Sequence, residues 1–180
     1  MTELLQDNMR NKRMYKIALT GLFAALATIA FTIESLFPPI ILPGARMGIS
    51  NVFILLATIT LGVGSGFATL IIKIVLGSLF SGNLSSMLFS LPAGIVSLSI
   101  ETVLIFAVKN ISIPAVSVAG AVVNTTLQNT VFCLVTKTAE YLCYLPYLAL
   151  ISAVTGLIVG FAVYLAVKKL PEKLFAEVNI

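Results

Sequence analysis

Eight side chains able to do chemistry lie in otherwise apolar stretches: Glu34, Arg46, Asn51, Lys73, Glu101, Asn124, Gln128 and Asn129. The amides offer both donors and acceptors, the arginine fits carboxylate or phosphate, and the lysine is a point cation. Such a set binds and orients a polar molecule; it does not supply a nucleophile with its base. The chain has no histidine, so a Ser-His triad is excluded. Its single aspartate, Asp7, excludes an Asp-rich Mg²⁺-diphosphate motif, and no Walker A pattern follows Gly62, Gly64 and Gly66. These absences point away from an enzyme and towards a binding role.

The elements that carry these groups are apolar helices. The composition is 59% apolar and 10% charged with a mean hydropathy of +1.09, whereas soluble domains carry roughly 25% charged residues. A bilayer core of roughly 30 Å needs about 20 apolar residues per helix, and backbone groups in lipid must be satisfied within the segment. Six such stretches are predicted, over about 15–36, 47–61, 67–80, 87–108, 114–136 and 145–167. Pro38, Pro39, Pro43 and Gly44 make a stiff first loop. Gly62, Gly64 and Gly66 form the next turn, and Ser81, Gly82, Asn83 and Ser85 the one after; a short polar loop holds Lys137 and Glu140. The expected class is therefore all-α, an integral membrane bundle of six transmembrane helices. A polar tail or short interfacial helix over 1–14 precedes the 15–168 domain, and a second tail over 169–180 follows it.

Lysine and arginine in the short loops set the orientation. With the N-terminus inside, eight of them fall on the inner side and only Arg46 and Lys137 on the outer side. Both termini are expected to be cytoplasmic, in a multi-pass protein of the plasma membrane. Helix 2 then brings Arg46 and Asn51 into the outer leaflet, where Asn124 and Gln128, four apart on one face of helix 5, can meet them. Two readings stand: the group lines a cavity opening outward, with Arg46 its first ligand contact, or the amides only bond neighbouring helices. Lys73 and Glu101 lie at equal depth on consecutive helices. They either form a buried ion pair, or Lys73 reaches into the cavity as a second cation. Glu34 and Arg46, flanking the first loop, are open to the same pairing.

Helix 1 carries Ala18, Gly21, Ala25, Thr28 and Thr32 at alternating spacings of three and four, a stripe of small residues that lets another helix approach closely. It serves either internal packing or a partner subunit. Cys133 and Cys143 lack metal-ligand spacing and read as small packing residues, a disulfide being conceivable only if both lie near the outer face.

The stretch Pro43-Gly44-Ala45-Arg46-Met47-Gly48-Ile49-Ser50-Asn51 resembles the Gx transporter family, often labelled heptaprenyl diphosphate synthase component I. That family is similar to the substrate-binding S components of energy-coupling factor (ECF) transporters. The likeness extends to Glu34-Ser35, to Lys73 with Gly77-Ser78, and to Val118-Ala119-Gly120-Ala121 with Asn124 and Gln128. It implies an ECF S-component-like bundle whose ligand binds under the loop joining helices 1 and 2. It also implies a coupling transmembrane subunit and two ATPase subunits, which use the ATP and dock on small residues of helix 1. The Ala-x-x-x-Ala pattern of S components stands here as Gly21-x-x-x-Ala25. On this resemblance Arg46, Asn51, Lys73, Asn124 and Gln128 hold the ligand, and Ala18, Gly21, Ala25 and Thr28 face the partner. The ligand would be vitamin-like, or related to flavins, quinones or isoprenoids, and the chain itself binds no cofactor. The other function consistent with the sequence is a non-transporting accessory subunit of a prenyl diphosphate synthase or membrane redox system.

Overall fold

A computed structural model describes the backbone of residues 2–36 and 48–169, with side chains from residue 12 onward except 139–141. Six helices account for nearly all of it: α1 (Thr2–Leu36), α2 (Ser50–Leu61), α3 (Val63–Phe80), α4 (Ser85–Ala107), α5 (Ile113–Thr136) and α6 (Leu145–Lys169). Among the described residues no strand is present. Five helices contain spans long and apolar enough to cross a membrane, and α2 is the short one at 12 residues. The all-α membrane bundle expected from the hydropathy pattern is therefore the fold, and the chain is a multi-pass membrane protein.

Three expectations change in detail. Residues 2–14 continue α1 as one unbroken helix. The segment expected to span as helix 2 begins at Ser50, after Gly48 at φ +72°, and at 1.5 Å per residue reaches only about 18 Å. The turn expected from three glycines needs just one. Gly62, at φ +93°, adopts a backbone that side-chain-bearing residues avoid. It reverses the chain alone, so α3 starts at Val63 and takes in Gly64 and Gly66. Gly66 lies there against Thr58 of α2, where a Cβ would collide with the threonine side chain.

The helices form a ring. α1 packs on α3, α3 on α4, α4 on α5 and α5 on α6, while α2 touches α1, α3 and α6 and closes it. Nine of the 12 residues of α2 are buried, so it acts as the plug of the bundle. Its Leu55, Leu56 and Ile59 meet Ile113 and Val163, and its Ile54 meets Leu70, Ile74 and Leu98. Lipid tails are as apolar as leucine, so such contacts are held by close packing rather than by expulsion of water. The tightest seam is α5 on α6, where Gly156 and Gly160 lie directly against Pro114, Ser117, Val118 and Ala121. Buried hydroxyls bond back to their own helices, as Thr58 does to the Ile54 carbonyl at 2.8 Å and Thr60 to that of Leu56 at 2.7 Å. Cys133 is buried and Cys143 exposed, both as free thiols.

Candidate ligand cavity

One cavity of about 70 Å³ draws residues from all six helices. The contributing positions on three of them follow a helical stripe. On α4 they include Ser90, Gly94, Ser97 and Glu101; on α5, Ser117, Ala121, Asn124 and Gln128; on α6, Ser152, Gly156 and Val159. Spacings of four and three keep each set on one face. Phe31 and Glu34 of α1, Gly48, Ser50 and Asn51 at the start of α2, and Lys73 of α3 complete the wall. Leu70, Ile74 and Leu98 belong both to the cavity wall and to an apolar core cluster.

Asn51, Lys73, Asn124 and Gln128, dispersed over 78 positions of sequence, are thus brought to one cavity. Arg46 and the proline-rich loop lie outside the described residues. Asn129 turns elsewhere, its amide donating to the Thr125 carbonyl at 2.8 Å. Glu34, Glu101 and the hydroxyls of Ser90, Ser97, Ser117, Ser152 and Thr155 were not singled out as ligand contacts from the sequence. The stripe on α4, ending in Glu101, is the signal that would have found Ser90, Ser97 and Glu101.

Lys73 is buried, with 6% of its surface exposed. Its ammonium donates to Asn51 Oδ1 at 2.9 Å and lies 5.5 Å from the centre of the Phe31 ring. A desolvated cation gains from an aromatic face. The Lys73 charge also acts on the Glu101 carboxyl. Gln128 donates to Ser90 Oγ at 3.0 Å, and Ser97 donates to the Gly120 carbonyl at 2.8 Å, which ties α4 to α5. The Glu101 carboxylate rests over Gly120, in space that any side chain at that position would fill.

Glu34 closes the corner between α1 and α2 by accepting the amide of Ile49. That amide is one of the donors a helix start leaves unsatisfied, and a carboxylate there also meets the positive end of the α2 dipole. Replacing Glu34 by alanine removes a charge-assisted bond, so the Ile49 amide is expected to exchange with solvent deuterium about tenfold faster. Unchanged exchange would show that the corner is held by other contacts.

On α1, Ala18, Gly21 and Ala25 are exposed, and nothing lies within 4 Å of a Cβ built on Gly21. Thr28, expected on the same docking face, is 4% exposed and bonds to the Ala24 carbonyl at 2.7 Å. It sits on the flank of the stripe nearest the buried Ala24, Ala27 and Phe31, which removes it from any outward surface.

The fold and site define an all-α multi-pass membrane protein that encloses a polar cavity at the centre of its bundle. Within that class, the chain belongs to the family described as heptaprenyl diphosphate synthase component I, which matches residues 23–165 and corresponds to the Gx transporter-like family. No curated protein and no solved structure matches it.

Proposed function

We propose that this protein is the substrate-binding subunit of an ECF-type importer, and not itself an enzyme. The observation that carries the reading is the cavity: polar groups from six helices converge on one void instead of bonding only to one another. Polar side chains within a bundle that spans a membrane are costly and mark a pathway or a pocket. The cavity reaches Glu34, Gly48 and Asn51, at the end of the bundle that the charge pattern assigns to the outside. A ligand would enter there, with both termini in the cytoplasm of a cell whose plasma membrane holds the complex. Asn51, Lys73, Asn124 and Gln128 would hold the ligand in the cavity, and Arg46, two positions before Gly48 in the sequence, is a further proposed ligand contact. Room for about five waters favours a small polar molecule. A flavin, quinone or isoprenoid diphosphate would require the helices to move apart.

A coupling transmembrane subunit and two ATPase subunits would complete the importer, docking on the exposed Ala18, Gly21 and Ala25. The family description supports a second reading, in which the chain is an accessory subunit of a prenyl diphosphate synthase. Affinity purification from native membranes separates them: ATPases and a coupling subunit are expected, and a prenyl synthase without them would establish the accessory role. Leucine at both Gly21 and Ala25 is expected to reduce the recovered partners at least tenfold (about 1.4 kcal/mol of interface) while leaving the unfolding temperature unchanged. Full recovery of partners would remove this face from the interface.

A further inference from the structure

Helices in a membrane settle their polar side chains by bonding them to their own backbone or to a neighbouring helix. The hydroxyls of Thr28, Thr58 and Ser152 bond within their own helices, and the Ser97 hydroxyl and Gln128 amide bond across α4 and α5. The ionisable side chains of the cavity wall are engaged within the protein as well. Glu34 accepts the Ile49 amide, Lys73 donates to Asn51, and the Lys73 charge acts on the Glu101 carboxyl. The hydrogen-bonding capacity still open on the wall is therefore sought among its neutral groups.

Two side chains of α5 carry it. Ser117 and Asn124 both line the cavity, about two turns apart on one face of the helix. Ala121, the lining residue between them, contributes only a methyl group. Neither the Ser117 hydroxyl nor the Asn124 amide makes a hydrogen bond to any described residue. Ser117 is 4% exposed, and its Cβ is held against Gly160 of α6. A polar group left unmatched in such a place carries a free-energy cost that a complementary ligand removes.

The chemistry of that ligand follows from the groups that wait for it. A carboxamide presents a carbonyl acceptor and an N–H donor side by side on one planar edge. It forms two bonds at once only with an edge that carries a donor and an acceptor in the matching order, as asparagine does on adenine. An ammonium offers donors alone, and a carboxylate acceptors alone. A cyclic amide or urea edge offers both and brings no charge to be stripped of water.

We propose that Asn124 donates to a ligand carbonyl and accepts from the adjacent ligand N–H, with Ser117 as a further partner. The ligand class is then a small uncharged molecule bearing a lactam or cyclic urea edge. The assignment rests on reading the cavity as a ligand site. It also separates two amides that share a helical face: Gln128 ties α5 to α4 through Ser90, whereas Asn124 is kept for the ligand.

The test uses the purified full-length chain in lipid nanodiscs and four probes of similar size: γ-butyrolactam, γ-butyrolactone, pyrrolidine and butyrate. The lactone replaces the lactam N–H by oxygen, and the last two are a cation and an anion at neutral pH. Titrations followed by ligand-observed NMR are expected to show the lactam bound about tenfold or more tightly than each of the others, because a site that bonds an N–H rejects the analogue lacking it. Asn124→Leu, similar in shape but without either polar group, should abolish that preference and leave the ligand-free unfolding temperature unchanged or raised. Ser117→Ala should weaken lactam binding severalfold at the same unfolding temperature. Equal binding of lactam and lactone, tighter binding of a charged probe, no binding of the lactam, or a preference that survives Asn124→Leu would each overturn the assignment. So would a clear fall in the unfolding temperature of Asn124→Leu, which would place the amide among the bonds that hold the bundle. Lactam preference without co-purified ATPases and coupling subunit would sink the importer reading alone. Those partners without lactam preference would sink this inference alone.

Discussion

Gly160→Leu is expected to destabilise the bundle by about 3 kcal/mol or more, and to lower the yield of folded protein from membranes. The α5–α6 seam has no slack at this point. A Cβ on Gly160 would come within 2.5 Å of the Pro114 Cα and 2.9 Å of the Ser117 Cβ. Backbone cannot retreat as a flexible side-chain end can, so α6 must swing away from α5. Because lipid replaces water outside the bundle, no hydrophobic gain offsets the lost contacts. Ser117 and Gly156 also line the cavity, so the same displacement opens its wall. Thermal unfolding in nanodiscs should show the loss. A small shift would mean that α6 can slide along α5, and that the glycine pair Gly156-x-x-x-Gly160 is not what sets their separation.

That pair illustrates what the sequence carries and what it conceals. Gly156-x-x-x-Gly160 is visible in a linear reading, since small residues four apart promise close helix approach. What it packs against, Pro114 and Ser117 some 40 residues earlier, follows only from the ring order of the helices. Hydropathy located α4, α5 and α6 within a few residues because lipid leaves an apolar run no alternative to a helix. It overestimated α2, because length is measured along a chain whose turn at Gly48 composition does not reveal. The stripe on helix 1 was legible as a set of small residues. Its division into exposed Ala18, Gly21 and Ala25 and buried Thr28 depends on where the neighbours lie.

The polar residues show the same limit. Intramembrane Asn51, Lys73, Asn124 and Gln128 stand out by rarity, so they were readable as a group. Ser97 and Ser152 are common in membrane helices, where hydroxyls usually bond to their own backbone. Ser152 does so, while Ser97 reaches across to α5. Depth placed Lys73 and Glu101 on one level, and depth alone cannot tell a contact pair from two groups facing a void. The glycine at 120 adds what depth does not show: its missing side chain leaves the Glu101 carboxylate room against α5.

Lys73→Met should be the most damaging change at the cavity. Removing one member of a buried charge system leaves the others uncompensated, an effect of about 3–5 kcal/mol. It also strands the Asn51 carbonyl, which accepts from the ammonium at 2.9 Å. A second substitution then reports which carboxylate the lysine balances. If Lys73 chiefly balances Glu34, adding Glu34→Gln should recover a large part of the loss and adding Glu101→Gln little. If it chiefly balances Glu101, the order reverses. Pairs that share a charge balance couple by about 0.5–3 kcal/mol, well above the error of additive sites. Unfolding free energies of the single and double variants measure that coupling directly. Coupling of Lys73 to Glu101 is the expected outcome, because the ammonium's charge acts on that carboxyl. Additive effects with both carboxylates would remove charge balance as the reason for the loss.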